Sequence, residues 1–227
     1  PDGTPCRIPA DFCPVELPDG TLELIDNGVV IARKPKSALY FELCYWPLKE
    51  AKTPADIDTF DFPEISDEEL DFIKKQAREW REKSDYAVMG TYGTALYEAG
   101  AQKVFGFQKF MENLILDRDL MEYWIDRQTR ATIVFLEKYL DAVGDDIDIM
   151  QINEDLGSQT GLQISPAMFR EIFKPRFADI FQSLKNKKKD LFIFLHSCGS
   201  IREIIPDLIE IGVDILNPIQ TTAAGMD

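Results

Sequence analysis

One segment of the sequence limits the fold more than any other: an apolar run over residues 191–195 that ends in His196-Ser-Cys198-Gly199. So continuous an apolar run is typical of a parallel strand that is covered on both faces. Side chains two residues apart in a strand point to the same side, so His196 and Cys198 are expected to project together. Both would lie at the carboxyl end of the strand, where α/β sheets and (β/α) barrels build their active sites.

The pair His196 and Cys198 offers an imidazole nitrogen and a sulfur, which are preferred zinc ligands. A structural zinc site takes four protein ligands and a catalytic one takes three plus water, so two ligands complete neither. The alternative is that both are packed core residues with satisfied hydrogen bonds. The sequence therefore predicts a metal-binding pair at a strand end and leaves the packing alternative open.

From residue 85 onward, short apolar runs alternate with helical patterns, which predicts right-handed βαβ crossovers and a parallel sheet. Four strands are half of an eight-stranded barrel, and the sequence stops directly after the fourth, so we expect an incomplete barrel. The predicted strands are residues 86–89, 147–152, 191–195 and 213–216. The predicted helices are residues 66–83, opened by a capping box at Ser66 and Glu69; 120–142; 166–185 with a kink at Pro175; and 201–211, opened by a capping box at Ser200 and Glu203.

The first 60 residues differ from the rest, because they are rich in Pro, Gly and Asp and contain short alternating runs. Asp26-Asn27-Gly28 between two of these runs is a strong signal for a hairpin turn. We therefore predict a β-rich lobe or insertion over residues 1–60, packed on a partial (β/α) barrel over residues 61–227.

The composition excludes several classes of function. Forty acidic against 25 basic residues leave a net charge of −15, which repels phosphate backbones and anionic lipids, so neither nucleic acid nor a membrane is expected as a partner. No apolar stretch approaches the roughly 20 residues of a membrane-spanning helix. Cys6, Cys13, Cys44 and Cys198 are few and irregularly spaced, which favours reduced thiols and a cytoplasmic location over a disulfide framework.

The segment 194–220, which begins Phe-Leu-His-Ser-Cys-Gly-Ser, resembles the uroporphyrinogen decarboxylase superfamily. It is most similar to the corrinoid-dependent methyltransferases and their uncharacterised relatives. Residues 155–176 are similar to the preceding segment of that family, and residues 90–93 stand where an earlier strand-end loop is expected. The resemblance covers about residues 84–227 and implies a distorted (β/α)8 TIM-like barrel with its site at the carboxyl ends of the strands.

The methyltransferase members bind zinc through a His-x-Cys pair and a later cysteine, and the metal activates a thiol that accepts a methyl group from methylcobalamin. His196 and Cys198 match the first two ligands, and the third would lie beyond Asp227. The resemblance thus implies zinc as cofactor, a corrinoid supplied by a partner protein or as substrate, a small-molecule methyl donor or acceptor, and a possible homodimer.

Other candidate site residues stand near the predicted strand ends. Glu154 and Asp155 follow the second strand, where a carboxylate would bind the metal or receive the thiol proton. They are equally interpretable as a solvated, helix-capping acidic pair. For the tyrosines near the first strand end, packing is the stronger alternative to a role in the pocket. The catalytic candidates are Glu154, Asp155 and Tyr97, and the substrate-binding candidates are Gly90, Tyr92, Asn153 and Gln220.

Two other functions stay open. The first is decarboxylation of a carboxylated tetrapyrrole by a carboxy-lyase without metal, which the resemblance ties to N-terminal arginines and one aspartate. Arg33 is the only arginine between Arg7 and Arg78 and stands in no recognisable version of that motif. The second is a non-catalytic subunit that holds a corrinoid protein. The Asp-x-His-x-x-Gly signature of B12 binding is absent, because His196 is the only histidine.

Overall fold

A computed structural model describes residues 12–227 of the chain, so Cys6 lies outside the described residues. The protein is an α/β fold with two separate four-stranded sheets, one antiparallel and one parallel. Among residues 12–227, no helix combines the length and the apolar character that crossing a bilayer requires.

The antiparallel sheet lies in the N-terminal part of the chain and has the sequential order β1-β2-β3-β4. The predicted hairpin is confirmed, since Asn27 and Gly28 both adopt positive φ, as a two-residue type I′ turn requires. A lobe over residues 1–60 with its boundary at 60 stays a prediction. The strands are β1 (Val15–Glu16), β2 (Leu22–Asp26), β3 (Val29–Lys34) and β4 (Glu42–Leu43).

Two capped helices lead into the second sheet, α1 (Pro54–Asp58) and α2 (Asp67–Lys83). The predicted capping box of α2 is confirmed, because the Ser66 hydroxyl accepts the Glu69 N–H while the Glu69 carboxylate accepts the Ser66 N–H. Thr53 begins α1 by the same arrangement with Asp56.

The parallel sheet confirms the predicted βαβ organisation and has the order β5-β6-β7-β8. Thr94, Asn153, His196 and Asn217 form one row across its carboxyl ends. Within residues 12–227 the strands do not close a barrel. The strands are β5 (Met89–Thr94), β6 (Ile149–Asn153), β7 (Phe192–His196) and β8 (Ile215–Asn217).

The predicted position of the first parallel strand, residues 86–89, is wrong. Pairing with β6 begins only where Met89 meets Ile149, and Tyr86 is exposed. The actual strand runs through Gly90 and Gly93, whose weak β-propensity hides it in the sequence.

The connecting helices largely follow the predicted pattern. A π-helical turn over Phe169–Phe173 ends two residues before Pro175, where the missing N–H of the proline interrupts the hydrogen-bond ladder. Further irregular turns are a π-helical Ala99–Val104 and a 3₁₀ Arg202–Ile204. The α-helices are α3 (Phe107–Leu116), α4 (Arg118–Val143), α5 (Pro166–Met168), α6 (Lys174–Lys187) and α7 (Ile205–Glu210).

The capping box predicted at Ser200 and Glu203 is wrong. The Ser200 hydroxyl instead donates to the carbonyl oxygen of Ala224 at 2.6 Å. The helical turn that follows has Ile201 as its N-cap without a side-chain hydrogen bond. The Ser200 hydroxyl therefore bonds to the segment after β8 and not, as the sequence pattern predicts, to the start of the helix.

The two faces of the parallel sheet differ. Alternate residues such as Met150, Ile152, Ile193 and Leu195 are fully buried in the hydrophobic core. The residues between them, including His196, point to the other face and are only partly buried or exposed. The predicted metal-binding pair thus belongs to the more open face, at its carboxyl edge.

Candidate metal centre

Three side chains with metal-binding atoms converge at the carboxyl ends of β6 and β7. Asp155, His196 and Cys198 each offer one ligand atom, and these atoms lie within 4.8 Å of one another. The Nε2 atom of His196 is 3.4 Å from Sγ of Cys198 and 3.8 Å from Oδ1 of Asp155. His196 and Cys198 therefore project to the same side, as the period of a strand dictates.

Backbone hydrogen bonds fix the strand ends that carry these residues. The Glu154 N–H donates to the His196 carbonyl at 2.8 Å, and the Ser197 N–H donates to the Asn217 carbonyl at 2.7 Å. The Cys198 N–H donates to Oδ1 of Asp155 at 2.7 Å, which ties the loop after β7 to the loop after β6. The three ligand atoms are thus held by a connected backbone framework.

Two glycines allow these loops to approach each other closely. Gly199 has a φ of +85°, and a Cβ built on it would lie 2.6 Å from the carbonyl carbon of Gly157. A Cβ on Gly157 would lie 2.6 Å from the carbonyl oxygen of Cys198. The loops therefore pack backbone against backbone, and a side chain at either position would displace Cys198 or its neighbours.

Polar side chains further brace the loop that carries Cys198. The buried Ser197 hydroxyl accepts the Leu156 N–H at 3.1 Å. The Gln220 amide lies between two loops, since its Oε1 accepts the Gly199 N–H at 2.8 Å and its Nε2 donates to Gln159 Oε1 at 2.9 Å. Substrate binding by Gln220 stays a prediction, whereas its contacts in the structure are with the protein.

Glu154 precedes Asp155 in the chain, and its side chain is fully buried. It accepts hydrogen bonds from the N–H groups of Leu96 and Glu98, so it is not the solvated acid of the alternative interpretation. Burial raises the pKa of Glu154 to about 8, against the opposing effect of the backbone N–H donors.

A second buried acid, Glu98, was not predicted. Burial and the neighbouring Asp155 carboxylate raise its pKa, and its Oε1 accepts a hydrogen bond from Gln102 at 2.8 Å. No pattern in the sequence distinguishes it from an ordinary helical glutamate. Burial and the Asp155 carboxylate also raise the pKa of the Cys198 thiol.

Within the described part of the chain, the one basic side chain that acts on Glu98 is Lys103, which lowers its pKa against the effect of burial. There, no lysine or arginine forms an ion pair with Glu98, Glu154 or Asp155. Burial makes the charged form of these acids costly, which is why their pKa values are raised, and a bound cation would favour the charged form. The donor set of nitrogen, sulfur and carboxylate oxygen fits zinc, with three protein ligands and one position left for another molecule.

The two predicted tyrosines pack rather than face the three ligand atoms. Tyr97 is buried with its ring edge-on to Phe110 and Phe173, and its hydroxyl donates to Gln163 Oε1 at 3.1 Å. Tyr92 lies against Phe135 of α4. These contacts favour the packing alternative, and a catalytic role for Tyr97 stays a prediction.

Gly90 and Asn153 lie at different positions along the strands of the sheet. A Cβ on Gly90 would lie 2.8 Å from the Tyr139 hydroxyl, so this glycine faces α4. Asn153 stands directly beside His196 in the strand register, and its Oδ1 accepts a hydrogen bond from Gln151 at 2.8 Å. Of these two substrate-binding candidates, the structure brings only Asn153 to the row that contains His196.

Comparisons with known proteins agree with this architecture. Residues 47–223 match the family model described as uroporphyrinogen decarboxylase (URO-D). A solved structure of a methyltransferase from Methanosarcina mazei is similar, with a TM-score of 0.55 and 21% sequence identity over 84% of this chain and 51% of that one. The chain thus spans about half the length of that structure, and at this identity the likeness concerns the fold. No curated protein matches the sequence.

Proposed function

The chain belongs to the uroporphyrinogen decarboxylase family, and on this premise we propose that it is a corrinoid-dependent methyltransferase in which zinc activates a thiol. The proposed zinc ligands are Asp155, His196 and Cys198. The proposed complete fold is the (β/α)8 barrel of the family, to which the four parallel strands contribute one half.

The observation that carries the proposal is the convergence of the three ligand atoms within 4.8 Å at the ends of adjacent strands. Three protein ligands are the pattern of a catalytic zinc site, whose fourth position takes water or substrate. Asp155 supplies a third ligand from this chain itself, whereas the resemblance to the family led us to expect a cysteine after Asp227.

Each residue has a definable task in this proposal. His196 presents a ring nitrogen, and Cys198 loses its proton to become a thiolate ligand. Asp155 adds a carboxylate oxygen while it holds the Cys198 N–H. When bound, zinc supplies the charge that keeps a coordinated substrate thiol deprotonated at neutral pH.

The buried acids behind the ligands support binding of a cation over binding of an anion. Glu98 and Glu154 place acidic side chains near Asp155, and among the described residues none of the three forms an ion pair with a lysine or arginine; Lys103 acts on Glu98 only by lowering its pKa. A polyanionic tetrapyrrole would be repelled by this arrangement. The methyl group would instead pass between a thiol and a corrinoid, which a partner protein supplies or which binds as a substrate. A homodimer stays a prediction.

The metal content of the purified protein tests the ligand set. We expect roughly one zinc per chain in the unaltered protein and a loss of that zinc in Cys198→Ala. Cys44→Ala is the matched control, because Cys44 lies just after β4 and its thiol donates to the Val30 carbonyl. An equal and negligible zinc content in all three proteins would contradict the proposed mechanism.

An activity assay separates the proposal from decarboxylation. Methyl transfer between methylcobalamin and a thiol changes the absorbance of the corrinoid, and we expect this change to be lost in His196→Ala and in Cys198→Ala. Release of carbon dioxide from uroporphyrinogen, undiminished when both residues are replaced, would support the decarboxylase instead.

A further inference from the structure

Asn217, the last residue of β8, contacts the metal centre without belonging to its three ligands. Its Oδ1 lies 2.8 Å from Nδ1 of His196. We propose that Asn217 is a positioning residue that holds the His196 proton on Nδ1 and leaves the Nε2 lone pair directed at Cys198 and Asp155. The effect on metal binding rests on the proposed function, whereas the position of the proton can be measured without metal.

The surroundings of the two ring nitrogens differ in a way that fixes the proton. A neutral imidazole has one N–H donor and one acceptor nitrogen. At Nδ1 an amide oxygen accepts at 2.8 Å. At Nε2 the neighbours are Sγ of Cys198 at 3.4 Å and Oδ1 of Asp155 at 3.8 Å. Sulfur is a weak acceptor and 3.8 Å is too long for a hydrogen bond, so the proton is more stable on Nδ1.

The Asp155 carboxylate is also already occupied. Its Oδ1 accepts the Cys198 N–H at 2.7 Å, so this oxygen forms its hydrogen bond with the loop and not with the ring, whose Nε2 is 3.8 Å away. With the proton on Nδ1, Nε2 is free to accept a hydrogen bond from the Cys198 thiol in the metal-free protein. The same lone pair becomes the metal-binding one when an ion enters.

The backbone of β8 places Asn217 for this task. Asn217 is directly opposite His196 in the parallel register, and its own carbonyl accepts the Ser197 N–H at 2.7 Å. The main chain is therefore fixed on both sides of the imidazole, and a short amide side chain spans the remaining gap. Ligating histidines commonly donate their second N–H in this way, which sets the tautomer and the ring orientation.

The single histidine of the chain makes the proton position directly measurable. With ¹⁵N-labelled histidine, a two-bond ¹H–¹⁵N correlation spectrum of the metal-free protein in alkaline buffer shows which nitrogen carries the proton. We expect the Nδ1–H form in the unaltered chain, the Nε2–H form as the major species in Asn217→Leu, and the Nδ1–H form again in Asn217→Asp, which keeps an acceptor oxygen. Asn153→Leu is the matched control, because it removes an amide from the strand on the other side of His196.

An Nε2–H form in the unaltered chain, or an unchanged spectrum in Asn217→Leu, would overturn the proposal. All variants retain the backbone hydrogen bond from Ser197, so a preserved parallel sheet, checked by circular dichroism, is expected throughout.

A titration with Co²⁺ then tests the consequence for metal binding. We expect Asn217→Leu to weaken binding about 10- to 100-fold, and Asn217→Asp and Asn153→Leu to bind within a few-fold of the unaltered protein. Equal affinity in Asn217→Leu would refute the positioning role. If the unaltered chain binds neither Co²⁺ nor zinc, the proposed function fails, while the spectrum still decides the tautomer.

Discussion

Two buried carboxylates of this chain have opposite surroundings. Asp207 of α7, 6% exposed, pairs with Arg170 Nε at 2.9 Å and Lys174 Nζ at 2.8 Å. Lys174 and Arg170 hold its pKa below the usual range, against the effect of burial. Glu154 is fully buried, and burial, with Glu98 as a neighbour, raises its pKa to about 8 against the effect of its backbone N–H donors.

This difference distinguishes a structural charge cluster from the proposed functional one. The cluster around Asp207 contains its own cations and joins α6 to α7 without help from a ligand. The acids Glu98, Glu154 and Asp155 form no ion pair with a lysine or arginine in the described residues, which supports the proposed cation site.

Zinc binding should have the largest effect on the stability of the fold, and this effect should depend on the proposed zinc ligands. At a thousandfold excess over the dissociation constant, a ligand that binds only the folded state raises the free energy of unfolding by about 4 kcal/mol. We expect this gain in urea unfolding of the unaltered protein and of Asp207→Asn, and no gain in Cys198→Ala. An equal gain in Cys198→Ala would mean that zinc binds elsewhere.

Gly199→Ala should destabilise the fold by about 3 kcal/mol, because it combines a positive φ with a backbone clash. Gly212→Ala is the matched control, since Gly212 also has a positive φ, +97°, but a Cβ there meets nothing within 4 Å. We expect it to cost about 1 kcal/mol. Urea unfolding measures both, and equal losses would show that the loops around Cys198 tolerate a side chain.

Asp207→Asn should cost about 2 kcal/mol, because it leaves Arg170 and Lys174 without their shared partner. This loss is smaller than the roughly 3–5 kcal/mol expected on breaking a fully buried pair, since Arg170 is half exposed. Asp190→Asn is the control: Asp190 is exposed, pairs with Lys188, and should change stability by about 0.5 kcal/mol or less. An equally small loss of stability in Asp207→Asn would show that its ion pairs contribute no more than an exposed pair.

The smallest effect concerns pH. Because the folded pKa of Asp207 lies below its unfolded value, the carboxylate contributes stability above the ordinary aspartate pKa of about 4, and this contribution is lost as the pH falls through the folded value. The stability difference between the unaltered protein and Asp207→Asn should therefore shrink on acidification. Urea unfolding at a series of pH values measures it, and a constant difference would contradict the pairing.

Much of the centre could be predicted from the sequence, because strand geometry is regular. The period of a strand was enough to predict that His196 and Cys198 share a side, and the alternation of strands and helices predicted that Asp155 ends a neighbouring strand. Glu98 and Asn217 were missed. The burial of Glu98 depends on packing between elements, whereas Asn217 had a usable signal, since it ends the strand that follows His196.

The errors in the fold have a common physical origin in contacts that are distant in sequence. Ser200 has the pattern of a capping residue, but its hydroxyl is taken by Ala224. The strand β5 was placed on the apolar residues 86–89, whereas pairing with β6 selects the glycine-rich stretch that follows. Local patterns state what a segment prefers, and tertiary partners decide between preferences of similar strength.

The pairing of β6 with β7 has a practical consequence for anyone who prepares this protein. Five residue pairs, from Ile149 with Phe192 to Asn153 with His196, set the register. A slip by one residue would turn His196 toward the helices and separate it from Asp155. Stoichiometric cobalt uptake would therefore count the correctly registered molecules in a batch, and would distinguish refolded chains from compact but misaligned ones.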